Sequence, residues 1–301
     1  MYINEVLYLK NKNLLTKLKH PFKFCVHLYH QINSMPKNVI NFAHANGFPA
    51  GSYQTLFNYL PDDTQVIALD KYGHDPRMPI NHNWQAQVEE LINHVESQQV
   101  DGNKVICLGH SFGGVISFIA CCQRPDLFKG LIMLDPPALS GAGALAARLL
   151  KKTKWIDKFS PAGRAKNRRS QWPLGSDIGA LFSGRKLFRS FDSRCLADYI
   201  THGICKRNNQ LELSFDAQVE ANIFRNIPSN LSSYKNKLTV PATLVYGDTT
   251  DVFPHHIFSR FVKLNKHIKL KTVTGGHMFP LESPEQTALL ITEIIKDFPD
   301  T

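Results

Sequence analysis

Six short apolar runs constrain what this chain can fold into more than any other feature. They read "VINFAH" from Val39, "QVIALD" from Gln65, "KVICLG" from Lys104, "GLIMLD" from Gly130, "ATLVYG" from Ala242 and "IKLKTV" from Ile268. Runs of this length, rich in Val, Ile and Leu and bounded by turn residues, read as strands buried on both faces, the kind found in parallel sheets. Parallel strands require crossover connections, and helical patterns supply them at Gln85–Gln98, Phe112–Gln123, His255–Lys263 and Pro284–Phe298. The last begins with Ser283-Pro284, a capping residue followed by a proline at the first helical position. The fold class predicted is α/β, a mainly parallel sheet flanked by helices.

The alternation breaks between Pro137 and about Tyr234, where the pattern turns mostly helical, basic and aromatic. Strand-type runs resume afterwards, so residues 137–234 read as a helical cap inserted after the strand "GLIMLD", over the sheet's carboxyl edge. The core is then 35–136 together with 235–301. Net charge is +10, and it is uneven: Arg148 to Arg207 holds fifteen Lys/Arg against four Asp/Glu. Such a run reads either as a solvated face or as a field that gathers an anionic substrate or lipid surface. Arg164, Lys166, Arg168 and Arg169 are its densest part.

Residues 1–34 follow another logic, with five lysines, no arginine and one acidic residue. They lack the apolar core of a secretory signal and read as an N-terminal extension: either Met35 is the natural start, or residues 1–34 are dispensable. No run of roughly 18 uncharged apolar residues appears, so no transmembrane segment is predicted. The six cysteines, Cys25, Cys107, Cys121, Cys122, Cys195 and Cys205, show no metal-ligand spacing and suit reduced thiols in a cytoplasm.

Chemistry enters at Gly109-His110-Ser111-Phe112-Gly113, a G-x-S-x-G stretch between a strand pattern and a helix pattern. A serine there serves either as a helix cap or as a nucleophile held on a sharp turn. A nucleophilic serine needs a base, and His277 in "VTGGHMFP" follows the last strand run. His74, His255 and His256 are less suitable, one early in the chain and two at the start of a surface helix. For the acid that orients the base, Asp251 in "LVYGDTTDVFP" is preferred, with Asp248 and Asp135 as alternatives; Asp248 also suits a turn cap. The oxyanion of an acyl-transfer intermediate needs N–H donors, for which the backbone groups of Phe112 and of Phe48, in "HANGFP", are the candidates.

Together "HANGFP", "LDKYGHDPR", "GHSFGG" and "GGHM" resemble the α/β-hydrolase superfamily from about Val39 to the end of the chain. Asn46 stands where the family's oxyanion loop usually has histidine, and no antiparallel strands are evident before Val39. The resemblance implies the mainly parallel hydrolase sheet, a helical cap between sixth and seventh strands, and acyl chemistry on serine. The expected activity is hydrolysis of a small-molecule ester or thioester through an acyl-enzyme. The same triad could instead hydrolyse a C–C bond, or the fold could serve as a non-catalytic binding protein. No phosphate loop, zinc spacing or nucleotide fingerprint appears, so no cofactor and no metal are implied, and no nucleic-acid module is recognised.

Overall fold

All six apolar runs become strands of one sheet in the computed structural model, which describes residues 36–98 and 103–299. They are β1 (Asn38–Ala43), β2 (Thr64–Ala68), β3 (Val105–His110), β4 (Phe128–Leu134), β8 (Ala242–Gly247) and β9 (Ile268–Val273). Their order is β2-β1-β3-β4-β8-β9, and every neighbouring pair is parallel. The proposed extension 1–34 and Cys25 lie outside the described residues.

The period of two in the central strands explains the layers. Val105 and Cys107 of β3 face the same core as Leu131 and Met133 of β4, where Val115, Phe118 and Ile119 of the helix Phe112–Gln123 cover them. Ile106 and Leu108 face the other side with Ile132 and Leu134, under Tyr53 and under Ala288 and Ile291 of the helix Pro284–Ile295. These side chains are almost fully withdrawn from water. At about 1.5–3 kcal/mol for each large aliphatic buried, both faces of β3 and β4 are held firmly. The predicted helices are all present, the one from His255 running to Leu264 and the last ending at Ile295. Ser283 precedes Pro284 as expected, but its side chain makes no capping hydrogen bond.

Between β4 and β8 lies the insert. It contains the predicted helices, among them Gly141–Leu150, Ser193–Gly203 and Ala217–Arg225, but also an antiparallel sheet of β5 (Gln171–Pro173), β6 (Ile204–Arg207) and β7 (Gln210–Leu213), in the order β5-β7-β6. The β6–β7 turn is made by Asn208 and Asn209, both left-handed at φ 48° and 56°. Paired asparagines tolerate that conformation, and this is the hairpin signal the helical reading passed over.

The insert is fastened to loops that leave the carboxyl ends of β1 and β2. Asp198 accepts from both the N–H and the hydroxyl of Thr55, at 2.7 and 2.6 Å. Trp84 Nε1 donates to the Ile223 carbonyl at 2.8 Å, and Lys71 Nζ to the Ser214 carbonyl at 3.1 Å. Among the described residues no helix is long and apolar enough to cross a membrane, and the five cysteines are unpaired thiols.

Candidate active site

Ser111 is where β3 hands over to the helix Phe112–Gln123, with φ 53° and ψ −118°. A non-glycine residue adopts such a backbone only when its surroundings enforce it. Here the Ser111 N–H is held by the Leu134 carbonyl at 2.8 Å. The turn also demands glycine on both sides. A Cβ at Gly109 would lie 2.3 Å from the Gly113 carbonyl carbon, and one at Gly113 would lie 1.9 Å from the Ala43 carbonyl oxygen. The Ser111 hydroxyl does not cap the helix.

It meets His277 instead. His277 Nε2 lies 3.0 Å from Ser111 Oγ, and Nδ1 lies 2.6 Å from Asp135 Oδ2. The serine and histidine expected from sequence are therefore brought together, while the preferred acid is not. Asp251 is exposed in the segment after β8, and Asp135 occupies the place it was expected to fill. The physical reason lies in the strand order. β4 sits between β3 and β8, so the residue at its carboxyl end emerges beside both the elbow and the loop that follows β8. Asp135 has φ 45° and its N–H donates to the Val245 carbonyl at 2.7 Å, which turns the carboxylate toward His277.

That carboxylate is fully buried, and a buried charge requires hydrogen bonds. Besides His277 it accepts from Gly247 N–H at 3.0 Å and from the Thr250 hydroxyl at 2.7 Å. Asp248 does what its turn reading suggested: its Oδ1 accepts from Gly275 N–H at 3.0 Å, bracing the loop that carries His277.

Of the two expected oxyanion donors, Phe112 is the first residue of its helix, where N–H groups have no intrahelical acceptor. The N–H of Phe48 is engaged, donating to the Ala45 carbonyl at 3.1 Å to close a turn. This corrects the reading of Phe48 as a free donor. Asn46, in the position usually histidine, ties the same loop to the insert by donating to the Glu220 carbonyl at 3.0 Å.

Sequence reasoning missed a buried relay behind these groups. His110 Nε2 is 2.9 Å from the His277 carbonyl, which can only accept, so that nitrogen carries the proton. Nδ1 must then accept from the Tyr53 hydroxyl at 2.7 Å, whose oxygen receives the Ala45 N–H at 3.3 Å. Burial holds the His110 pKa well below that of a free imidazole, keeping the ring neutral in this role. The chain of bonds links the loop after β1, the elbow and the histidine loop. The motif places no demand on the residue before the serine, so no local signal marked it.

Arg168, assigned from sequence to an open basic cluster, turns inward and pairs with Glu220 at 2.9 Å. Burial raises the Glu220 pKa, and the Arg168 charge opposes that shift. Among the described residues no cluster of three or more His, Cys, Asp or Glu side chains could hold a metal ion.

Residues 42–288 match the profile of the alpha/beta hydrolase family. Among curated proteins, the rat (Rattus norvegicus) monoglyceride lipase is 34% identical over 142 residues, which is 43% of this chain and 46% of that protein. A type I acyl-CoA thioesterase of Penicillium brevicompactum is 25% identical over 191 residues, 56% of this chain and 40% of that one. These alignments span less than half the length of the relatives. Among solved structures, E-2-(acetamidomethylene)succinate hydrolase superposes with a TM-score of 0.69 at 19% identity, covering 86% of this chain and 91% of that one. With a profile match running from β1 into the last helix, over a parallel sheet that carries a glycine-flanked serine on its third strand's turn, the chain belongs to the alpha/beta hydrolase family.

Proposed function

We propose that the protein is a serine hydrolase that cleaves a carboxylic ester or thioester of a small molecule through an acyl-enzyme. The observation that carries this reading is the single imidazole of His277 bridging the Ser111 hydroxyl at 3.0 Å and the buried Asp135 carboxylate at 2.6 Å. Ser111 Oγ bonds to the substrate carbonyl carbon while its proton passes to His277 Nε2. Asp135 holds the Nδ1–H tautomer and stabilises the imidazolium. The Phe112 N–H, aided by the positive end of its helix, receives the oxyanion. Collapse breaks the bond to the leaving oxygen or sulfur, which takes the proton from Nε2. Water, deprotonated by the same nitrogen, then releases the acid and restores Ser111. The Phe48 N–H joins the oxyanion site only if it shares or leaves the Ala45 carbonyl.

The similarity to a monoglyceride lipase and an acyl-CoA thioesterase supports ester and thioester bonds as the target class. Residues 137–234 act as a cap, a reading supported by their bonds to the loops after β1 and β2. The buried and partly buried free thiols support a reducing, cytoplasmic setting. The test is labelling by a fluorophosphonate, followed by turnover of an ester and acyl-thioester panel of graded chain length. Labelling that persists in Ser111→Ala, or a panel without a single turned-over member, would sink the proposal.

A further inference from the structure

The start of the insert exposes what a folded domain ordinarily covers. In the helix Gly141–Leu150, Ala144 and Ala147 pack inward toward Ile227, Phe253 and Ile257. Leu145 and Leu149, four apart and so on one face, point away and are 58% and 59% exposed. The next apolar pair repeats the arrangement. Trp155 and Phe159 are 56% and 65% exposed, with their rings stacked at 5.9 Å. Four of the large exposed apolar side chains thus fall within fifteen residues of chain. Scattered exposed leucines need no explanation, but large exposed apolar side chains gathered in one short stretch and interspersed with charge point to a contact surface.

The exposed charges of residues 152–166 are of one sign. Lys152, Lys154, Lys158, Arg164 and Lys166 are exposed, and none has an ion-pair partner among the described residues. Lys158 Nζ lies over the Trp155 ring, 5.2 Å from its centre. The nearby carboxylate, Asp157, is committed to Arg225 through two bonds of 2.7 Å. Lys151 belongs elsewhere, its Nζ donating to the Ile227 carbonyl at 2.7 Å.

We propose that this segment, which exposes Leu145, Leu149, Trp155 and Phe159 and carries five cations without ion-pair partners between Lys152 and Lys166, docks onto a bilayer surface that carries anionic headgroups. Lipid meets each requirement at once: acyl chains take leucine and phenylalanine, the interfacial zone favours tryptophan, and anionic headgroups attract lysine and arginine. A second copy of the chain fits less well, because an isologous contact would bring the two sets of unopposed cations together. The proposal does not depend on the Ser111 chemistry, and its test reads binding rather than turnover.

Tryptophan fluorescence reads this face directly. The chain has three tryptophans, and Trp84 and Trp172 are only 2% and 1% exposed, so water-accessible emission comes from Trp155. The full-length protein is mixed with phosphatidylcholine vesicles with or without about 30 mol% phosphatidylserine. Phosphatidylserine vesicles should shift emission to the blue, and lipids brominated on the acyl chain should quench it; pure phosphatidylcholine should bind roughly tenfold more weakly. Leu145→Ser/Leu149→Ser should abolish the shift, and Lys154→Glu/Lys158→Glu should remove the preference for phosphatidylserine, each with an unchanged circular dichroism spectrum. Trp155→Ala/Phe159→Ala, followed by co-sedimentation, should lose binding. The proposal is overturned by unchanged emission with phosphatidylserine vesicles. It is overturned equally by a dimer that already shields Trp155 from acrylamide without lipid, or by stronger quenching with a single-stranded oligonucleotide than with vesicles.

Discussion

The sheet and the first part of the insert use the same residue types in opposite ways. Around β3 and β4 the apolar side chains are enclosed, and the polar groups of the site are hydrogen-bonded, with Asp135 accepting three bonds while fully buried. Along Leu145 to Phe159 four large apolar side chains, Leu145, Leu149, Trp155 and Phe159, face outward, and Lys152, Lys154 and Lys158 have no ion-pair partner among the described residues. A buried polar group without a partner costs about 1–3 kcal/mol, whereas an exposed leucine or lysine perturbs the fold very little. The core is therefore intolerant of change and the outer face of the insert tolerant. This division is what a molecule needs if chemistry is done in one region and contact with surroundings in the other.

Substitutions can break or sharpen that contrast. Ser111→Ala should lower kcat on the order of 10³-fold or more while leaving the melting temperature nearly unchanged, read by ester turnover and calorimetry. Next, Asp135→Asn should reduce kcat by roughly 10² to 10⁴-fold, whereas Asp251→Asn should stay within about twofold. A reversed ranking would return the role of acid to Asp251. Gly113→Ala forces a Cβ against the Ala43 carbonyl oxygen and should lose about 3 kcal/mol in urea unfolding. If it does not, the tightness of the elbow is overstated.

Acid should reach the core by way of its buried imidazoles. His44 accepts the Tyr72 N–H through Nε2 at 3.0 Å, and burial lowers its pKa to about 4. That of His110 is lowered as well. Both groups take up a proton more readily when unfolded, so stability present above about pH 6.5 falls as pH drops toward about 4. The slope is at most about 1.4 kcal/mol per pH unit for each histidine. Glu90 acts in the opposite sense. It accepts the Gly73 N–H at 2.8 Å, and burial raises its pKa to about 7, so its protonation favours the fold as pH falls from 7 toward 4.5. Urea titrations between pH 7 and pH 5 should therefore show a loss that steepens in Glu90→Gln. The smallest effect belongs to the insert: Trp155→Ala/Phe159→Ala should change stability by no more than about 0.5 kcal/mol and leave turnover of a short soluble ester unchanged. A loss comparable to that of Gly113→Ala would show that these rings are packed and end the comparison.

Local pattern along the chain determined the six parallel strands and the helices between them through periodicity, the turn at Ser111 through its G-x-S-x-G spacing, and the loop carrying His277 through its place after the last strand run. Each of these is written in residues close together in sequence, where alternation, glycine spacing and proline placement act locally. The β6–β7 hairpin belongs with them in principle, since Asn208-Asn209 advertises it, although the surrounding helical pattern hid it. The candidate acid was different. Asp135, Asp248 and Asp251 each end or follow a strand and look alike in sequence. What separates them is that β4 lies between β3 and β8, which puts the end of β4 beside the elbow and leaves Asp251 in solvent. The commitment of Phe48 N–H to Ala45, the Tyr53–His110 relay and the inward turn of Arg168 were likewise decided by packing. Hydrogen-bond partners distant in sequence are chosen by which strand ends are neighbours in space, and that choice is made only when the whole sheet closes.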